Sequence, residues 1–325
     1  SIVERKFTSD EVAATALIRG DIHVLERAAP WQISRLKAAG MQIGRYRLPT
    51  LHVLLLDHSH PLLARREFRR GLCFGIDRQR IVQRIVTGGE EQPGFQVISG
   101  PMPPGTSLSD PLRYAYDANV VPRDYEPRLA ATLMLVAASS VAKLQAEQAA
   151  AAARQTDSAA PPPAPPEVGI PELVLAHSAD PLARAVCDAI GRQLRPLGIP
   201  LKVQEVTTAE LLDPDSGFHL RYAELAMWEP LVDAQQLLGD DGIAGSTSAA
   251  MRAALREMQH ATNWNEVREQ CHEVHRIAHN DLPVIPLWQT VNHFAHNGHV
   301  EGISEPLIRL YQNAHRWRLT PGGAR

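Results

Sequence analysis

Strand-period and helix-period segments alternate along this chain, and that alternation restricts it to a layered α/β fold. Residues 2–7 read as a strand. Ser9 and Asp10 then offer an N-cap, and Gly20 stops the helix that follows. Residues 22–25 read as a short strand. Pro30 opens a second helix that Gly40 ends, and residues 41–48 and 51–56 follow as strands. Phe68, Leu72 and Ile76 recur at i, i+4 and i+8, a single buried stripe, and Asp77 can cap a second helix over 79–86. Residues 91–122 are rich in Pro and Gly and read as an irregular loop.

The second half repeats the pattern. A helix opens at Tyr125-Glu126-Pro127 and grows rich in Ala toward Arg154. Residues 156–166 carry too much Pro and Ala to bury a core and read as a semi-rigid loop. Strands are expected at 172–176, 199–206 and 222–228, and helices at Pro181–Leu194, 210–212, Ala249–His260 and 266–279. Residues 283–288 and 289–294 read as extended, and 306–319 as a strand pair.

Composition removes several function classes. The chain has 325 residues, 33 basic and 36 acidic, with a net charge of −3. That balance offers no electrostatic footprint for nucleic acid or an anionic membrane. No run of apolar residues approaches the ~18 needed to span a bilayer. Cys73, Cys187 and Cys271 lie far apart inside helical patterns and read as buried thiols rather than a disulfide framework. Residues 1–7 show no signal peptide, and a start inside a strand pattern without Met implies a piece of something longer.

Candidate chemistry is sparse. His272, His275 and His279 share one helix face, with His293, His296 and His299 following. Neutral imidazoles one turn apart suit zinc, so a metal-binding module is one alternative. However, His272-Glu273-Val274-His275 is one residue short of HExxH, and no third acidic ligand is evident. No GxSxG, Walker A or GxGxxG is present, and Asp213/Asp215 and Asp240/Asp241 sit in turns. No catalytic residue, cofactor or resident metal is expected, and the chain reads as a binder rather than an enzyme. Trp228 ends a strand just before Pro230, a place where α/β folds commonly meet ligands, although a core Trp fits the same spacing.

Several segments together resemble family 5 extracytoplasmic solute-binding proteins, the dipeptide- and oligopeptide-binding type that serves ABC importers. Arg69-Arg70-Gly71-Leu72-Cys73-Phe74-Gly75-Ile76-Asp77-Arg78-Gln79-Arg80-Ile81-Val82 resembles that family's R-x-A-L-x-x-A-I-D-R-x-x-I-V stretch, with Gly71 and Gly75 in place of alanines. Leu17 and Gly20 fit an A-L-x-x-G-x-I-D segment, with His23 where a second Asp is usual. Tyr125-Glu126-Pro127, Leu194 through Ile199, and Pro283-Val284-Ile285-Pro286-Leu287 are similar to further motifs in the same order.

The resemblance implies a periplasmic-binding-protein-like type II clam-shell with a complete second lobe and an incomplete first lobe. Residues 1–56 and 290–320 would be first-lobe segments. Residues 57–289 would form the second lobe, carrying a surface Ala/Pro-rich insertion near 137–167. The Trp228 segment resembles the family loop G-W-x-x-D-x-x-D-P that lines the interlobe cleft. Met227 replaces the Gly, and Leu231 stands where an Asp often pairs with a peptide's amine. The implied ligand contacts are Trp228, Glu229, Leu231 and Asp233, with His52 and Leu54 on the strand leading into the crossover. The implied partners are a small solute or short peptide and an ABC permease. The implied setting is periplasmic or otherwise extracytoplasmic, and the implied state is a monomer. A degenerate receptor domain used for sensing or protein contact is the remaining alternative.

Overall fold

The computed structural model describes residues 1–155, 169–213, 216–303 and 307–320. In chain order the elements are α1 (Asp10–Arg19), β1 (Val24–Ala28), α2 (Ile33–Ala38), β2 (Gln42–Leu56), α3 (Arg66–Gly75), α4 (Arg78–Ile81), β3 (Gln96–Val97) and α5 (Pro127–Gln155). These are followed by β4 (Leu173–His177), α6 (Pro181–Leu194), β5 (Leu201–Glu205), α7 (Thr208–Leu212), β6 (Leu220–Ala226) and α8 (Pro230–Leu238). The last are α9 (Ala249–His260), α10 (Trp264–Asp281), β7 (Val284–His296), β8 (Val300–Glu301) and β9 (Arg318–Leu319).

Seven strands form one sheet in the order β1-β7-β2-β6-β4-β5, with β3 added against β7. β2 pairs antiparallel with both β7 and β6, while β4 runs parallel to β5 and to β6. The two faces of β2 divide the core. Leu54 and Leu56 join Phe68 and Leu72 of α3, Ile76 just after it and the inner face of α6 in one cluster. Leu51, Val53 and Leu55 join Met251, Leu255 and Val274 from α9 and α10 in a second. This is the period-2 alternation of a strand covered by helices on both faces.

Local chemistry sets the helix ends. Ser9, Asp180 and Ser248 accept backbone N–H bonds at the starts of α1, α6 and α9. Gly20 closes α1 in the left-handed region at φ 82°. Gly71 lets α3 and α5 approach closely, and Gly75 admits Leu194 and Leu197 from the end of α6 and the turn after it. A Cβ at Gly71 would lie 2.7 Å from Met134 Cγ and 3.2 Å from the Ala130 carbonyl oxygen.

Some expectations are corrected. Residues 2–7 form no strand; they lie along the surface without a ladder partner, and alternation without a partner strand has nothing to pair with. Residues 41–48 and 51–56 are one strand, as are 283–288 and 289–294, because β2 and β7 pair with each other through small register shifts. The loop over 91–122 contains β3 and a 3-10 turn at Pro111–Ala115. The expected strand pair near the end is largely a 3-10 segment, Leu310–Arg316, and only β9 pairs, with β8. The stretch Pro127–Ala152 does meet the length and mean hydropathy of a spanning helix, at 1.5 over its apolar window. Counting unbroken apolar runs missed it, because scattered Ser and Thr interrupt an Ala- and Leu-rich segment. Its inner residues Met134, Ala137 and Val141 are buried in the first core cluster. The loop expected over 156–166 lies outside the described residues, as do the end of the 137–167 insertion and Asp215.

Candidate functional site

Because β4, β5 and β6 are parallel, their C-terminal ends share one edge of the sheet. That edge is where ligands meet open α/β sheets. Asp180, Arg184 and Glu205 line a groove of ≈ 250 Å³ there, with Arg184 paired to Glu205 at 2.6 Å. Trp228 leaves the same edge at the end of β6 and is 48% exposed, so it is not a core residue.

The Trp228 loop is held by its own helix. Asp233, in the first turn of α8, accepts the Trp228 N–H at 2.6 Å and the Glu229 N–H at 2.9 Å. Pro230 occupies the first helical position, where its missing N–H is no loss. Tyr114 donates its hydroxyl to Glu229 Oε1 and accepts the Leu231 N–H at 3.2 Å. Burial, reinforced by that bond to Glu229, holds the Tyr114 hydroxyl well above the usual phenol range. Trp264, at the start of α10, packs its ring 4.6 Å from that of Tyr114 and is itself exposed. The Leu231 side chain packs against the second core cluster.

One contact reaches this loop from far along the chain. The Arg309 guanidinium lies over the Trp228 ring, 5.6 Å from its centroid. Arg309 follows Leu307, which is buried with Phe294 and Leu310 beside the far ends of β2 and β7.

The structure thus gathers Trp228, Glu229, Leu231 and Asp233 in one loop. His52 and Leu54 stand apart from it. Leu54 is completely buried in the first core cluster and offers no surface to a solute, which corrects the expectation for that residue. His52 is also buried. Its Nδ1 meets the Tyr222 hydroxyl at 2.6 Å and its Nε2 meets Thr290 Oγ1 at 2.9 Å, so both ring nitrogens are engaged. Burial pushes its pKa down to about 3. It borders a small cavity with Arg27, Glu224 and Asn292. Tyr114, Trp264 and Arg309 went unnoticed in the sequence, because each reaches the loop through tertiary folding and none carries a local motif.

The histidine cluster is structural. His275 Nδ1 accepts the Asp117 N–H at 3.0 Å, and His279 Nδ1 meets the Ser99 carbonyl oxygen at 2.9 Å. Among the described residues, no group of three His, Cys, Asp or Glu side chains is placed to hold a metal ion. This corrects the metal-module alternative, since sharing a helix face did not make these lone pairs convergent. Ser99 Oγ and His275 Nε2 lie 3.1 Å apart, a pair that resembles a nucleophile and its base. With Nδ1 accepting, the ring proton resides on Nε2 and points at Ser99, so this imidazole cannot take the serine proton. Ser99 is also only 1% exposed. The three cysteines are free and buried, and burial pushes Cys271 up to about 12.

This fold, a mixed sheet with helices on both faces, is that of the type II periplasmic binding proteins. The chain matches the oligopeptide-binding protein AppA from Bacillus subtilis, in complex with a nonapeptide, at a TM-score of 0.74 and 16% identity, over 97% of this chain and 59% of that one. It matches DppA from Helicobacter pylori, in complex with peptide STSA, at 0.74 and 14%, over 97% and 56%. It matches NikZ from Campylobacter jejuni, in complex with Ni(L-His), at 0.72 and 14%, over 96% and 60%. The chain therefore spans less than two thirds of the length of these solved relatives. No curated protein matches the sequence. Residues 1–233 match the model of the bacterial extracellular solute-binding proteins, family 5 Middle, and the chain belongs to that family.

Proposed function

We propose that this chain forms part of an extracytoplasmic receptor that holds a small solute against the Trp228 loop and hands it to an ABC-type permease. The observation that carries the reading is the state of Trp228. It is an exposed indole at the ligand-facing edge of the sheet, on a loop fixed by Asp233 and Tyr114 rather than left to move. A rigid aromatic surface with a few polar groups around it is the usual composition of a solute site. Relatives of this fold take a nonapeptide, a short peptide and a nickel–histidine complex, which supports a small polar solute or peptide here.

In this reading residues 1–56 and 290–320 belong to a first lobe and 57–289 to a second, with β2 and β7 crossing between them. Hinge closure over the solute would produce the form that the permease accepts. The test is a thermal-shift screen of peptides and small solutes on the full-length protein, followed by titration calorimetry of the strongest hit. Trp228→Ala should weaken that hit by at least about tenfold, the scale of a truncated aromatic anchor. Unchanged affinity removes Trp228 from the site.

A further inference from the structure

We propose that the solute group received by the Trp228 loop is an anion, a carboxylate, and that Arg309 is the residue that recognises it. This rests on the reading of the loop as a solute contact.

Three positions of the loop could present a carboxylate to a solute amine. At the first, Leu231 is apolar and packs against the second core cluster. At the second, Asp233 Oδ2 accepts two backbone N–H bonds and is committed to fixing the loop. At the third, Glu229 Oε1 accepts the Tyr114 hydroxyl. Each carboxylate of the loop is thus committed through one oxygen to fixing it, and neither is presented whole to a solute amine.

Arg309 is in the opposite condition. It is exposed, and among the described residues its guanidinium has no ion pair or hydrogen bond; its contact is the Trp228 ring. A cation–π contact with an indole consumes none of a guanidinium's N–H donors. Those donors form a planar fork that matches a carboxylate with two parallel bonds. The contact with the indole also restricts the side chain before the solute arrives, which lowers the entropy lost on binding. The same positive charge repels an amine, and it does so against the pull of the exposed Glu229 carboxylate in the same loop.

The experiment uses trialanine in three forms (free, N-acetylated and C-amidated) titrated into the full-length protein. Binding is read from tryptophan emission and calorimetry, and Trp228→Phe identifies the responding indole. The free and N-acetylated forms should bind alike, and the amidated form should bind at least about tenfold more weakly, the cost of an unpaired charge partner. Arg309→Gln should remove that difference by weakening only the two acids, and Arg309→Lys should recover part of it. Circular dichroism would establish that the exposed substitution leaves the fold intact. Equal binding of the amidated form, or discrimination lost in Glu229→Gln but kept in Arg309→Gln, overturns the anion assignment alone. No response to any form refutes the loop as a peptide contact and the assignment with it.

Discussion

The Asp233 carboxylate accepts the Trp228 backbone N–H at 2.6 Å, so the residue that orients the exposed indole sits five positions later, inside the helix that follows. It also takes the Glu229 N–H, satisfying two donors that the start of α8 would otherwise leave unpaired. Asp233→Ala should therefore cost about 1–2 kcal/mol of stability, in the range of lost helix caps. Urea unfolding measures this. Trp228 emission in the folded variant should also move toward that of a fully hydrated indole. A variant as stable as the parent would show that water replaces the carboxylate without loss.

Gly71 tests the packing of α3 on α5. In an exposed helix, Gly→Ala gains about 1 kcal/mol from backbone propensity. Here the added methyl of Gly71→Ala would meet Met134 Cγ at 2.7 Å and the Ala130 backbone at 3.2 Å. Overpacking of this kind costs roughly 1–3 kcal/mol, so the net effect should be destabilising. A lower urea midpoint at unchanged slope is the expected outcome, and a raised midpoint would mean that α5 can retreat.

The same helix marks what the sequence could reveal. Phe68, Leu72 and Ile76 predicted a buried stripe, and all three are buried, because helical period alone decides which face turns inward. Pro181–Leu194 and Ala249–His260 were legible for the same reason, aided by Asp180 and Ser248 as caps. The glycines of α3 were visible as departures from a family pattern. Their causes lie far along the chain, in Ala130 and Met134 of α5 for Gly71 and in Leu194 and Leu197 for Gly75. Trp228 was legible as a strand-end residue, but its environment was not. Tyr114 lies in what read as an irregular loop and Arg309 in what read as a strand, and each meets Trp228 or its neighbours only once β6, α8 and the terminal segment are assembled. The histidines failed in the opposite way. Their spacing was right for a metal, but their lone pairs and N–H groups already serve Ser99, Asp117 and the backbone.

Two buried imidazoles give a pH dependence with a definite sign. Burial lowers His52 and His275 to about 3, with Arg27 adding to the effect at the first and His279 at the second. The unfolded chain takes up protons on both near pH 6.5, while the folded chain does not. Their contribution to stability is complete above that value and is lost as pH falls toward 3, by up to about 1.4 kcal/mol per unit for each histidine. His58, His60, His279 and His296 are also lowered, chiefly by burial, and act in the same direction. Asp57 and Asp117 are lowered too, but their effect begins in the carboxylate range. Between pH 7.5 and 5 the histidines act against Glu224 and Asp10, whose carboxyls burial raises, so the share of one histidine is read from urea unfolding of its own variant. His275→Gln should be less stable at pH 7.5 yet lose less on going to pH 5. An unchanged pH slope would show that His275 titrates in the folded state.

Leu231→Asp probes the loop from the side of its missing charge. Leu231 is half-buried against the second core cluster, and its N–H is bonded to the Tyr114 hydroxyl. A carboxylate there gives up part of an apolar contact, at a cost of about 1–2 kcal/mol on the scale of one partly buried leucine. Because position 231 lies in the first turn of α8, the new charge is well placed with respect to the helix dipole, which offsets part of that cost. The larger consequence concerns binding. If Arg309 sets an anion preference, a new acid two residues from Glu229 should weaken the N-acetylated tripeptide and strengthen the C-amidated one. Each shift should be a few-fold or more, because rim charges act at modest strength through water. Doubling Leu231→Asp with Arg309→Gln should complete the inversion. Calorimetry of the two capped peptides against the four proteins measures it, and a preference that stays with the acid in the double variant would place the determinant outside this loop.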